Sequence, residues 1–333
     1  MRPAQEKFSF KTFYIGFTLL AATTLLLFGL SAGTALADMV LPGLVLLLSL
    51  AGMLHTLRGE LVDNLRSLKK EIPFSMENIL LFTAVAGGAV ITYGISIYGG
   101  LGPVVASGLI GVAAAILLPR HAVAIFCGSF AGMSSNLLLP PGSLFLAGVI
   151  SGIVYILARN VLVGFGGKLG TIAFTGCVIA ALATGRTITG IAVAGWEEGL
   201  LLVLFSVLGG VATYSMAVRL KMSSVLASGL VGVFAGVVLP LVFPETGNSL
   251  AVMVFCASFM GMSSPERMRN EIFIALAGIF AGLAFIYSAP WQGAGGKLGT
   301  IAFGSVLAVR GFMDMASGIK AKLSNRRIPT TRE

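Results

Sequence analysis

The sequence predicts an all-α polytopic integral membrane protein, with two homologous repeats of about five helices each, in inverted topology, behind an N-terminal two-helix hairpin. Three observations carry that prediction. Only 11% of the 333 residues are charged while 56% are hydrophobic, against about 25% and about 45–50% in an ordinary soluble domain. Apolar runs of spanning length follow one another along the whole chain. Two long motifs recur at a fixed offset.

The charge deficit decides the solvent. There are too few ionisable residues to cover a water-facing surface of this size, and the mean hydropathy is +0.97. Glycine is abundant, at 44 residues, and small residues let membrane helices bring their backbones together. The net charge of +9 sits between the apolar runs and at the chain ends. Sorting of basic residues to the cytoplasmic side accounts for it, so a nucleic-acid partner is not expected. Cys127, Cys177 and Cys256 all fall inside apolar runs, and an odd, buried set gives no disulfide framework.

A bilayer core needs about 20 apolar helical residues. Ten runs qualify, at 12–33, 39–56, 78–99, 103–118, 143–158, 168–185, 199–217, 223–240, 271–288 and 297–311. Two shorter segments, 121–135 and 248–264, either cross at a tilt or re-enter; the first covers roughly 22 Å as a helix. Arg2, Lys7 and Lys11 precede the first run, and Thr34-Ala35-Leu36-Ala37 has the look of a signal-peptidase site. The length of the run favours an uncleaved first span.

Charge placement orders the spans. With the N-terminus in the cytoplasm, the loop 57–71 returns inside with Arg58, Arg66, Lys69 and Lys70. If both short segments cross fully, Arg120, Arg159, Lys168, Arg219, Lys221, Arg267, Arg269 and the basic tail after Arg310 lie inside, leaving Arg186 and Lys297 outside. If both re-enter, Arg159, Arg219 and Lys221 move outside. Full crossing therefore fits the positive-inside rule better, giving twelve crossings in a plasma (inner) membrane with both termini cytoplasmic.

Internal repetition fixes the organisation. Phe126-Cys127-Gly128-Ser129-Phe130-Ala131-Gly132-Met133-Ser134-Ser135 recurs as Phe255-Cys256-Ala257-Ser258-Phe259-Met260-Gly261-Met262-Ser263-Ser264, an offset of 129. At the same offset Gly166-Gly167-Lys168-Leu169-Gly170-Thr171-Ile172-Ala173-Phe174 recurs unchanged from Gly295 to Phe303. Ala106-Ser107-Gly108-Leu109 recurs from Ala227 at an offset of 121, eight residues being inserted after Pro240. The chain divides into a hairpin with its basic loop (1–72), a first repeat (73–190), a second (191–312) and a basic cytoplasmic tail (313–333). Five crossings per repeat force the copies to face opposite ways, the arrangement of many secondary transporters.

Both motifs invite a functional reading. Cys127, Ser129, Cys256 and Ser258 fall near mid-segment, with Ser134, Ser135, Ser263 and Ser264 toward the far ends. Thiols and hydroxyls near the midplane between repeats suit binding of a neutral solute or an anion; the competing reading is close helix packing. In the second motif Gly166, Gly167, Lys168 and Thr171, matched by Gly295, Gly296, Lys297 and Thr300, open apolar helices. Exposed amides at a helix start, with an adjacent lysine, attract anions; the competing reading is a lysine snorkelling from a helix end. The pattern is not a phosphate-binding Gly-Lys-Ser/Thr loop, because leucine follows the lysine.

No apolar run holds a central Asp or Glu; Asp38, Glu197, Glu198 and Glu245 sit at span ends. Coupling through an intramembrane carboxylate is therefore disfavoured. The expected function is passage of a small solute, with an anion preferred, between the repeats, Lys168 and Lys297 standing at its two mouths. A structural or assembly protein that binds a partner through 57–71 is the first alternative. A permease for a soft metal or sulfur compound, using Cys127 and Cys256 with Met133, Met253, Met260 and Met262, is another. His55 and His121 lie at span edges without zinc spacing. No cofactor, resident metal or enzymatic activity is expected, and the glycine-rich faces suggest a homo-oligomer in the bilayer.

Overall fold

A computed structural model describes residues 9–67, 75–186, 196–288 and 293–326. Among these residues there are twelve helices and no strand. The chain opens with α1 (Ser9–Asp38) and α2 (Val40–Ser67). Then come α3 (Met76–Tyr93), ending in a π-helical turn (Gly94–Tyr98), α4 (Gly102–Leu117), α5 (Ala122–Gly132), α6 (Pro141–Ala158) and α7 (Lys168–Ala183). The remaining helices are α8 (Trp196–Val218), α9 (Ser224–Val242), α10 (Gly247–Gly261), α11 (Glu271–Ile286) and α12 (Lys297–Arg326). Seven of them, α1, α2, α3, α6, α8, α9 and α12, are long and apolar enough to cross a bilayer. The chain is an all-helical membrane protein.

Local chemistry sets the helix starts. Pro103 and Pro141 stand in the first turns of α4 and α6, where the missing N–H is no loss. The Ser223 hydroxyl accepts the Leu226 amide, and Asn270 accepts the amides of Ile272 and Phe273, capping α9 and α11. Gly167 and Gly296 precede α7 and α12 with φ of 83° and 80°, a left-handed conformation that glycine adopts without strain.

Four segments add detail to the sequence-based expectation. The loop expected from 57 is helical through Ser67, because Leu57 and Leu61 pack on the core and Glu60 pairs with Arg267; residues 68–74, with Lys69 and Lys70, lie outside the described residues. The tail expected from 313 continues α12 to Arg326, with Arg310 and Asp314 paired one turn apart. The short segments form helices of only 11 and 15 residues, α5 and α10, each followed by a Met-Ser-Ser turn.

Two crossings organise the interior. A Cβ on Gly108 would stand 3.0 Å from the Gly229 carbonyl oxygen, and one on Gly229 would stand 2.9 Å from that of Gly108. Gly236 lies against Val104 and Val105, so α4 and α9 run antiparallel. Likewise a Cβ on Gly170 would fall 2.4 Å from the Gly299 Cα, and the converse distance is also 2.4 Å. Gly167 abuts Phe303 and Gly296 abuts Phe174, so α7 and α12 also pass antiparallel, within their first turns. Between the two crossings pack Phe126, Phe130, Phe255 and Phe259, the closest rings being 4.4 to 4.7 Å apart between centroids. The hairpin lies on α7 and α12. Thr23 and Thr175 hydroxyls are 3.1 Å apart, the Thr56 hydroxyl donates to the Leu307 carbonyl, and Gly52 abuts Ala308.

Candidate functional site

The two repeated motifs complete each other across the molecule. The Ser134 hydroxyl accepts the Gly295 amide at 3.0 Å, and the Ser135 amide donates to the Gly293 carbonyl at 2.9 Å. In the other copy the Ser263 hydroxyl accepts the Gly166 amide at 3.0 Å, and the Ser264 amide donates to the Gly164 carbonyl at 2.9 Å. The serines after α5 thus hold the glycine loop that starts α12, and those after α10 hold the loop that starts α7. Each lysine-bearing helix start is built from both halves of the chain.

Beside each helix start lies a cleft. One, of about 600 Å³, is bounded by Lys297, Ser134, Ser135, Asn248, Ser249 and apolar side chains of α4 and α11. The other, of about 250 Å³, is bounded by Lys168, Gly166, Gly167, Arg159, Phe165 and Met262. They lie at opposite ends of α10, the first reaching Asn248 and Val252, the second Phe259 and Met262.

The lysines are held differently. Lys168 is buried, and its ammonium donates to the carbonyls of Ala158, Arg159 and Val161 at 3.4, 2.9 and 2.9 Å. It occupies the carbonyls left open at the end of α6, where a cation is favoured. Lys297 is half-buried and, among the described residues, donates to one carbonyl, that of Ser288, at 3.2 Å; the Phe285 ring lies 5.9 Å away. The sequence reading set these lysines at two separate mouths. In the structure the first turns of α7 and α12 cross, so both lysines stand within a turn of one crossing while their side chains lead to different clefts. Glycines at 167, 170, 296 and 299 permit that approach.

Cys127, Ser129, Cys256 and Ser258 are fully buried and border neither cleft. The Cys127 thiol donates to the Leu169 carbonyl at 3.3 Å and that of Cys256 to Leu298 at 3.1 Å. The Ser129 hydroxyl pairs with Ser107, and that of Ser258 with Ser228, each at 2.8 Å. Thr300 donates to the Gly296 carbonyl at 3.4 Å, whereas the buried Thr171 hydroxyl has no partner among the described residues. Met133 borders the larger cleft, Met262 the smaller, and Met253 and Met260 are buried. Among the described residues no three His, Cys, Asp or Glu side chains cluster as metal ligands would.

Sequence reasoning missed Arg267. Its guanidinium is paired with both oxygens of Glu60, donates through Nε to the Val163 carbonyl at 2.9 Å, and lies 4.4 Å above the Phe165 ring. It joins α2 to the loop that walls the smaller cleft. Arg310 braces it by donating to the Glu266 carbonyl at 2.7 Å. The equivalent position at the 129-residue offset is Leu138, which can form no such bridge. Tyr93 and Tyr214 were missed too. Their hydroxyls donate to the carbonyls of Leu139 and Met268 at 3.2 and 2.5 Å, pinning the turns after α5 and α10. Both tyrosines recur at the 121-residue offset, a signal that was there to be read.

Ser134→Ala and Ser263→Ala each strand a buried amide, and each is expected to cost about 1–3 kcal/mol. Thermal unfolding in detergent reads this as a lowered midpoint. Unchanged midpoints in both variants would mean that Gly295 and Gly166 find other acceptors. No protein-family model, curated protein or solved structure matches this chain.

Proposed function

We propose that the chain is a membrane transporter that passes a small solute, with anions preferred, between two inverted repeats, opening its two clefts in alternation. The observation that carries the reading is the pair of lysine-headed helix starts. They cross in the interior, are built reciprocally from both halves, and open onto clefts of about 600 and about 250 Å³. Helix starts bring partial positive charge, and interrupted helices whose starts face anionic groups recur at transporter sites. Unequal clefts around equivalent residues suit a carrier caught with one side open.

Further observations support inversion. Helices at matching places in the two copies, α4 with α9 and α7 with α12, run antiparallel where they touch. Each half holds five helices, and five crossings per half would be an odd number, as inversion requires. The basic groups Arg159, Arg267 and Arg310 gather about the smaller cleft, which the positive-inside rule assigns to the cytoplasm.

A scaffold without transport activity is favoured by one observation, the phenylalanine quartet that fills the space between α5 and α10. Flux assays on purified protein in liposomes separate the readings. Anion flux is expected in the native protein, falling at least about tenfold when Lys168→Ala and Lys297→Ala are combined, as loss of charge-assisted contacts implies. Flux unaltered by the double substitution defeats the anion pathway. No flux of any small solute in the native protein leaves the scaffold.

A further inference from the structure

The larger cleft carries more information than a preference for negative charge. Its volume, about 600 Å³, lies in the range of sites that enclose organic molecules, about 300–1,000 Å³. A bare inorganic ion there would share the space with many waters, each occupying about 30 Å³, and would be screened from the one cation. The walls are of two kinds. Polar residues (Lys297, Ser135, Asn248, Ser249) and apolar ones (Val104, Val252, Phe285) both line it, and the Phe285 ring lies 5.9 Å from the Lys297 ammonium. Among the described residues that border it, Lys297 alone is charged and none is a carboxylate. Its ammonium has three hydrogens and, among the described residues, one carbonyl partner, in contrast to the three partners of Lys168.

We infer that this cleft binds an organic monoanion, a carboxylate or sulfonate head on an apolar body, rather than an inorganic oxyanion. The head pairs with Lys297 and the neighbouring hydroxyl and amide groups; the body lies against Val104, Val252 and Phe285. A single lysine matches a single negative charge, and a second charge on the ligand would be desolvated without a partner. The inference rests on the transport reading only in taking the cleft for the substrate site.

Equilibrium binding of radiolabelled phenylacetate to the purified full-length protein in detergent tests it. Saturable binding is expected, displaced by unlabelled phenylacetate and at least about tenfold less well by sulfate, phosphate or phenylacetamide. Phenylacetamide keeps the shape and removes the charge, so the comparison needs no variant. Lys297→Gln is expected to abolish binding and Lys297→Arg to restore it, whereas Val252→Asn weakens phenylacetate without improving sulfate. Equal displacement by phenylacetamide, or stronger displacement by sulfate or phosphate, overturns the inference. The two readings fail separately. Inorganic anion flux in liposomes without phenylacetate binding overturns this one and spares transport. Lysine-dependent phenylacetate binding without flux of any anion overturns transport and spares this one.

Discussion

Arg267→Ala is expected to open the smaller cleft. The side chain bridges Glu60 on α2 to Val163 and Phe165 at the cleft wall, through a paired carboxylate, a carbonyl and an aromatic face. The pair is three-quarters or more shielded from solvent on both sides. Removing one partner therefore strands a carboxylate where water is scarce, a loss beyond that of an exposed pair. A loss of about 1–2 kcal/mol would change the ratio of closed to open forms by roughly 5- to 30-fold. The readout is labelling of a single introduced cysteine by a water-soluble maleimide. The three native thiols are buried and supply a silent background. Ser224→Cys, at the smaller cleft, is expected to react at least about fivefold faster with Arg267→Ala. Ser249→Cys, at the larger cleft, is expected to slow. A faster rate at 224 with no change at 249 would mean that the clefts open independently, and no change at either would remove Arg267 from any gating role. Glu60→Ala should reproduce the effect and add little to it, as partners in one contact do.

Gly170→Ala and Gly299→Ala are expected to be the most damaging single-methyl changes tested. The added Cβ would lie 2.4 Å from the Cα of the opposing glycine. Backbone stands on both sides, so no side chain can swing away. Overpacking usually costs about 1–3 kcal/mol, and this geometry belongs at or above the upper end. Loss of monodisperse protein on size-exclusion chromatography is the measurement. Gly87→Ala is the control, because nothing stands within 4 Å of its Cβ. Replacing a helical glycine by alanine there is expected to be neutral or to stabilise by about 0.5–1 kcal/mol. If Gly170→Ala and Gly87→Ala behave alike, α7 and α12 do not meet as closely as described.

Much of this was legible in the chain. Each apolar run became a helix, because length and hydropathy are properties of the run itself. The boundaries failed where tertiary contacts decided them, as at Glu60, whose partner lies more than 200 residues away. The motifs were legible as motifs, but their meeting was not. Spacing along the chain cannot say that Ser134 accepts an amide from Gly295 rather than from Gly166. Cys127 and Ser129 drew attention as polar groups in apolar segments. Such side chains commonly bond to a nearby carbonyl, and here Ser129 bonds to Phe126 and Cys127 to Leu169. Arg267 was read only as one basic residue among many, because a charge in a sequence carries no sign of its partner. The phenylalanines could have been found. They stand four apart in both copies of the motif and so share one helix face.

The crossing of α7 and α12 bears on how the chain can change. Gly170 meets Gly299, Gly167 meets Phe303 and Gly296 meets Phe174, so each stretch touches a stretch of identical sequence. That is an isologous contact, of the kind that joins the halves of a symmetric dimer, enclosed within one polypeptide. A substitution in one stretch alters one side of the match and leaves the other as it was. The same added methyl at Gly170 or at Gly299 meets the same opposing backbone at 2.4 Å, so the two substitutions are expected to have matching effects. The nine-residue identity from Gly166 to Phe174 and from Gly295 to Phe303 makes the two sides of this contact chemically the same.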